Sequence, residues 1–343
     1  MLFPLTLLAT FFASWFITKL ARQYAQSRAL IDNPNERSSH NVPTPRGGGI
    51  AIVVIFLFGV GVLGVAQVLP ASIAWAMGVG GLIVALIGWL DDHSHVAAHW
   101  RASVHFIAAL WVLFWLPGAF GATGLFDTSN VFLSLATGFL AAIVIVWFTN
   151  LYNFMDGTDG LAGSQAVCAS LAGGVLLWLS GENGLALILL LLCAASGGFL
   201  VWNWPPAKIF MGDVGSGFLG FLFGVFAVAG EYNGGLAFGT WLILLAVFIS
   251  DATLTLLRRV LNGERWYTAH RSHAYQKLVQ AGFSHRQLSI GFVGVNVLLL
   301  WPVAWLSCRY PDSLWWYVST VLLILSVAWV FIQKRFSGNR QIE

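Results

Sequence analysis

NFMDGTDG, Asn153 to Gly160, sets two carboxylates three residues apart, each followed by glycine, soon after the apolar run FLAAIVIVWF. A helix needs about 20 mostly apolar residues to cross the hydrocarbon core. The stretch therefore reads as the point where a span ends and polar chemistry begins. Composition supports this: 58% of the 343 residues are hydrophobic and 9% are charged, against about 25% charged in a soluble domain, and the mean hydropathy is +0.79. Strand spans would show as alternating segments of about 10 residues, and the sequence does not alternate. The expectation is an all-α polytopic membrane protein.

Outward from Asn153, apolar runs predict eleven transmembrane helices, at about 2–20, 49–68, 71–90, 102–117, 131–149, 161–180, 184–202, 216–230, 236–257, 288–307 and 314–333. The first run has no basic segment before it, and Lys19, Arg22 and Arg28 come at or after its end. It reads as an anchor with the N-terminus outside, which puts the C-terminus in the cytoplasm. Every Lys and Arg of the seventeen except Arg309 then falls on the cytoplasmic side. The net charge of +3 describes one basic membrane face suited to anionic lipid and phosphorylated substrates, and not a nucleic-acid binder. Cys168, Cys193 and Cys308 show no CxxC spacing and read as small buried hydrophobes.

No internal repeat or linker marks a second domain, so residues 1–343 are expected to form one integral membrane domain. Its polar residues gather in cytoplasmic loops at about 21–48, 91–101, 150–160, 203–215 and 258–287. Asp91 and Asp92 end the third span, where a carboxylate opposes the helix dipole. Asp156 and Asp159 follow the fifth, and Asp213 lies in the turn before the eighth. Five acids at one membrane depth are costly, which points to function. Helix N-termini face the same side, two of them after the glycine turns RGGG and GDVGSG, where backbone N–H groups can approach phosphate. A tight loop or close helix packing explains such glycines equally well. Hard oxygen ligands beside basic residues suit Mg²⁺ bound together with substrate phosphates, the equipment of phosphoryl transfer. Arg46, Arg37 and Lys208 are candidate phosphate contacts, although arginines beside spans also set topology.

DNPNERSSHNVPTPRGGG, GWLDD, NLYNFMDGTDGLAG, PPAKIFMGDVGSGFLG and the AHRSHAYQ loop together resemble the polyprenyl-phosphate N-acetylhexosamine-1-phosphate transferases, in that family's order, from about residue 32 to 285. The resemblance implies transfer of an N-acetylhexosamine-1-phosphate from a UDP-sugar to undecaprenyl phosphate. The products would be undecaprenyl-diphospho-sugar and UMP, the metal Mg²⁺, and the place the cytoplasmic face of a bacterial inner membrane. Such a reaction initiates O-antigen or related envelope glycans, and a homodimer is left open. On the same resemblance Asp213 is the magnesium aspartate, and Asn153 matches a position that lies against the metal. Asp159 and Asn203 match the uracil pocket, with Asp156 near metal and nucleotide. Arg101 matches a basic position beyond the aspartate pair, and Arg271 and His273 match the loop that holds pyrophosphate and sugar. Enteric relatives have several histidines in that loop, whereas Ala274, Tyr275 and Gln276 follow His273 here. The sugar is therefore open.

Asp91 and Asp92 match aspartates assigned as base, nucleophile or metal-proximal charge. A phosphate monoester has a second pKa of about 6 and hardly needs a base, so we read the pair as positioning groups for Arg101 or the metal. His93, His95 and His99 lack a cysteine or glutamate to complete a zinc site and read as a solvated loop. The rival function is a secondary transporter, which would place binding residues near the midplane on interrupted helices. The span interiors are nearly free of charge. Asp251 is the exception, and the sequence gives it no role.

Overall fold

The computed structural model describes residues 2–34, 42–116, 131–233, 235–264 and 270–336. Fourteen α-helices are described: α1 (Leu2–Ser27), α2 (Ile50–Val65), α3 (Ala71–His93), α4 (Ala98–Trp115), α5 (Val131–Phe154), α6 (Leu161–Ser180), α7 (Asn183–Asn203), α8 (Asp213–Asn233), α9 (Phe238–Leu244), α10 (Ala246–Leu261), α11 (Ala274–Gln280), α12 (His285–Val295), α13 (Trp301–Arg309) and α14 (Leu314–Arg335). One departure from the all-α expectation is a two-residue antiparallel pair, β1 (Ile31–Asp32) with β2 (Thr44–Pro45).

Each of the eleven apolar runs falls on helix, though not each on one long helix. Among the described residues eight helices are long and apolar enough to cross a membrane, or nine if the bent pair α9–α10 is one span. The 16 residues of α2 reach about 24 Å at 1.5 Å per residue, short of a 30 Å hydrocarbon core. Helix α4 opens on the polar sequence AHWR.

The ninth run is broken by an 83° bend between α9 and α10. A bend frees backbone groups that lipid cannot satisfy, and neighbouring polar side chains take them up. Gln165 of α6 donates from Nε2 to the carbonyl of Leu244 at 2.9 Å. Its Oε1 accepts from Asn296 Nδ2 at 3.0 Å, and Asn296 opens a π-helical turn, Asn296–Leu300, between α12 and α13. Two irregular backbones thus share one buried amide relay.

Helix α8 is the centre of the molecule, buried along nearly its whole spanning length, whereas α1 and α14 turn most of their surface outward. The sequence places its start at 216, and the structure starts it at Asp213. Asp92 supplies the missing reason: its Oδ1 accepts from Asp213 N–H at 3.0 Å and its Oδ2 from Val214 N–H at 3.1 Å. A carboxylate from α3 satisfies orphan donors of the first turn and favours its dipole. Cys168 is buried, Cys193 is half-buried and Cys308 is exposed, so the reading of all three as buried hydrophobes is corrected at Cys308.

Candidate active site

The site begins where α3 ends against the start of α8. Arg101, in the first turn of α4, donates from Nη1 to Asp91 Oδ2 at 2.6 Å and to Asp213 Oδ2 at 2.7 Å. Asp91 Oδ1 also accepts from Val96 N–H at 2.7 Å, which fixes the turn leading into α4. Arg46 donates to the backbone carbonyl of Asp92. Residues from four separate segments therefore meet around two guanidinium groups.

The RGGG turn and the FMGD turn form one unit. Gly48 N–H donates to Phe210 O and Gly49 N–H to Met211 O, both at 2.9 Å, while Phe210 N–H donates to Pro45 O at 2.8 Å. A Cβ added at Gly215 would lie 2.7 Å from Gly49 Cα, so α2 and α8 begin in backbone contact. The Gly48 and Gly49 amides are occupied by these carbonyls, so these two glycines serve close packing instead of offering N–H groups to phosphate. Gly212 has φ +76, and a Cβ there would lie 2.5 Å from Asp92 Oδ2. Both facts require glycine.

Asn153 donates from Nδ2 to Ser216 Oγ at 3.0 Å, and that hydroxyl donates to Gly212 O at 3.1 Å. This holds the Asn153 amide against the first turn of α8, the turn that Asp213 opens. Asp156 is half-buried by area yet closely surrounded. Burial first, then the charges of Asp213, Asp92 and Asp159, hold its carboxyl well above the ordinary carboxylate range. Asp156 thus lies in the electrostatic reach of both Asp213 and Asp92. Asp91, Asp92 and Asp213 meet the two guanidiniums, with Asp156 in reach of two of these acids, a crowding of carboxyl groups that a cation would relieve.

A second cluster ties the same turn to the next loop. Asp159 Oδ2 accepts from Ala207 N–H at 2.9 Å, and its Oδ1 lies 3.2 Å from His285 Nδ1. Asn203, 2% exposed, accepts from Gly160 N–H at 3.0 Å and donates to Ile209 O at 3.0 Å. Both groups brace the loop that leads to Asp213.

His273 and Arg271 precede α11. The His273 ring is 3% exposed and turned inward, with Nδ1 at 3.5 Å from Asp251 Oδ1. Asp251 also accepts from Ala274 N–H at 2.8 Å, Tyr275 N–H at 3.1 Å, Trp329 Nε1 at 3.2 Å and Thr255 Oγ1 at 3.1 Å. The unassigned acid of the sequence is therefore the anchor of this loop. From α11, Tyr275 Oη reaches Phe154 O at 3.1 Å, joining the loop to NFMDGTDG. Burial raises the Tyr275 phenol above its ordinary range, so it stays a neutral donor. His285 and Asp251 lie in no such motif, Ser216 and Tyr275 lie in motifs that gave them no role, and only the cost of a charge inside a span singled out Asp251. Lys208 is exposed, with Nζ over the Trp202 ring at 5.4 Å, and no contact with the aspartates places it among them. Arg37 lies outside the described residues.

Among the described residues no three His, Cys, Asp or Glu groups form a ready metal cage. Mg²⁺ does not require one, since it is held through one or two carboxylates with water and substrate phosphates. Asp213 with Asn153 fits that need.

The signature of glycosyl transferase family 4 matches residues 74–231, a range that includes Asp91, Asp92, Arg101, Asn153, Asp156, Asp159, Asn203, Lys208 and Asp213. A probable undecaprenyl-phosphate N-acetylglucosaminyl 1-phosphate transferase of Bacillus subtilis is 32% identical over 309 residues, covering 85% of this chain and 83% of its own length. The decaprenyl-phosphate N-acetylglucosaminephosphotransferase of Mycobacterium tuberculosis is 29% identical over 331 residues, 84% of this chain and 77% of its own. The undecaprenyl-phosphate α-N-acetylglucosaminyl 1-phosphate transferase of Escherichia coli is 28% identical over 297 residues, 82% and 77%. With the acids, glycine turns and multi-pass helices in place, the chain belongs to glycosyl transferase family 4, the superfamily of polyprenyl-phosphate hexosamine-1-phosphate transferases.

Proposed function

We propose that the protein transfers an N-acetylhexosamine-1-phosphate from a UDP-sugar to undecaprenyl phosphate and releases UMP, on the cytoplasmic face of a bacterial inner membrane. N-acetylglucosamine is the first donor sugar to test, because the relatives' names carry it. The reaction would open the assembly of O-antigen or a related envelope glycan. Eleven membrane crossings, with the N-terminus outside, belong to the same proposal. The observation that carries it is the Asp91–Arg101–Asp213 bridge, which joins the ends of α3 and α4 to the start of α8, more than a hundred residues on.

Donor pyrophosphate and lipid phosphate are both anions, and they approach in line only when charge is neutralised. Mg²⁺, held by Asp213 and Asn153, would supply neutralisation at the transferring phosphate. Arg101, which bridges Asp91 and Asp213, would receive phosphate oxygens, and Asp91 keeps the guanidinium aimed. Asp92 acts through α8, whose first turn it caps. Asp159 and Asn203 hold the wall next to the nucleotide, and Asp251 and His273 seat the loop that presents Arg271. No general base is needed, because a phosphate monoester with a second pKa of about 6 is already largely dianionic at neutral pH.

The test is direct: detergent-purified protein receives undecaprenyl phosphate, Mg²⁺ and a panel of UDP-N-acetylhexosamines while UMP is measured. UMP release with at least one sugar is expected, together with loss of about 10²-fold or more in R101Q. No UMP with any sugar, but flux of substrate into liposomes, would replace this reading with transport.

A further inference from the structure

Helix α14 turns most of its surface outward, and its buried residues are two valines, Val318 and Val321, and one amide, Gln333. A buried amide is costly unless its polar atoms find partners, and Gln333, 5% exposed, has partners from two other parts of the chain. Arg258 of α10 donates from Nη1 to Gln333 Oε1, and Gln333 Nε2 donates to the backbone carbonyl of Ser272 at 2.9 Å. A guanidinium can only donate, so Arg258 takes the amide oxygen and leaves the amide nitrogen facing the carbonyl. One turn earlier, Trp329 Nε1 meets Asp251 Oδ1 and Thr255 Oγ1, each at 3.2 Å. Trp329 and Gln333 share one face of α14, and Asp251, Thr255 and Arg258 share one face of α10. The two faces form a polar seam.

This seam ends on the loop before α11. Gln333 holds Ser272 O, and Asp251 holds the N–H groups of Ala274 and Tyr275. Gln280 Nε2 also reaches Arg271 O at 3.2 Å, but that contact is exposed, and water competes for it. On its other side the loop rests on the NFMDGTDG turn. Tyr275 Oη donates to Phe154 O, and a Cβ added at Gly157 would lie 2.1 Å from the same phenol oxygen. The loop is thus seated between the α10–α14 seam and the turn that carries Asp156 and Asp159.

We propose that Gln333 is a positioning residue for the transfer: by holding the Ser272 carbonyl it fixes the backbone next to Arg271, and so sets where that guanidinium meets the donor diphosphate. This rests on the function proposed above, in which the loop presents Arg271. Gln333 itself touches no substrate, and Arg258 serves by orienting its amide.

UMP release in detergent is measured with Mg²⁺, undecaprenyl phosphate and UDP-N-acetylglucosamine, or whichever UDP-N-acetylhexosamine of the panel the wild type uses. The proteins are wild type, Q333A, Q333E, R271Q and R271Q/Q333E. Q333E keeps the size of the side chain and the Arg258 contact, and loses only the donor to Ser272. In Q333A and Q333E the KM for the UDP-sugar rises about tenfold, while that for undecaprenyl phosphate changes by less than about twofold. A merely structural loss lowers the amount of active enzyme, and with it kcat, and leaves both KM values. In the R271Q background Q333E costs less than about a further twofold in kcat/KM, because residues that act through one another are not additive. If Q333A does not fold, the isosteric Q333E carries the test. A wild-type KM in Q333E, or an undiminished effect of Q333E in the R271Q background, overturns the proposal while the function stands. Absence of UMP from the wild type with the whole panel overturns the function, and this inference with it.

Discussion

Asp91 and Asp92 are adjacent in sequence, yet one holds a guanidinium and the other caps a helix. That both are functional is legible from the sequence, because carboxylates at a helix C-terminus oppose its dipole. Their division of roles is not, since it depends on Arg101 and on two N–H groups more than a hundred residues away. If Asp91 only positions Arg101, D91N should be slowed by the same factor at every pH from about 6.5 to 9, where the acceptor is already ionised. Steady-state rates across that range check this, and recovery toward wild type at high pH would make Asp91 a base. Asp156 carries a second pH signature. Its folded pKa is raised, by burial and then by Asp213, Asp92 and Asp159, above an unfolded value of about 3.9. Between those values the folded state binds more protons than the unfolded state, so this contribution to stability is present below about pH 4 and is lost as pH rises through the folded pKa. D156N cannot ionise, and without Mg²⁺ its melting temperature should fall less from about pH 5 to 8 than that of wild type. Equal slopes would contradict the crowding of these acids.

At the scale of elements, hydropathy finds the helices but not their ends or their breaks. The start of α8 was hidden because its cap comes from α3, and the bend at Leu245 was hidden because Gln165 and Asn296, distant in sequence, take up what it exposes. The glycine turns were legible as close approaches, but the partner of each was not: α2 and α8 begin against one another. This contact sets a clear contrast within one helix. G49A would force a methyl into the Gly215 backbone and should destabilise by about 1–3 kcal/mol. Gly61 has open space around its Cβ position, and G61A should be neutral or stabilising by up to about 1 kcal/mol. Thermal unfolding in detergent checks the pair, and a G49A protein that melts with wild type would remove the proposed backbone contact.

For the whole molecule, the sequence predicts that polar loops gather at one membrane border, because alternating spans would put nearly all basic residues on one side. What alternation cannot show is which loops touch. The structure answers this around α8, whose first turn meets α2, α3 and α4 through Gly49, Asp92 and Arg101. Exchange of one phosphoanhydride for another at such a place needs charge neutralised around a phosphate, which the surplus of carboxylates and the two guanidiniums are built to arrange. The most direct measurement uses UDP-N-acetylglucosamine labelled with ³²P at the β-phosphate, together with undecaprenyl phosphate and Mg²⁺. Sugar-1-phosphate transfer predicts the label in the lipid product with unlabelled UMP in water, and the loss of both in D213N. Label that remains on UDP in the aqueous phase while sugar reaches the lipid would contradict the account.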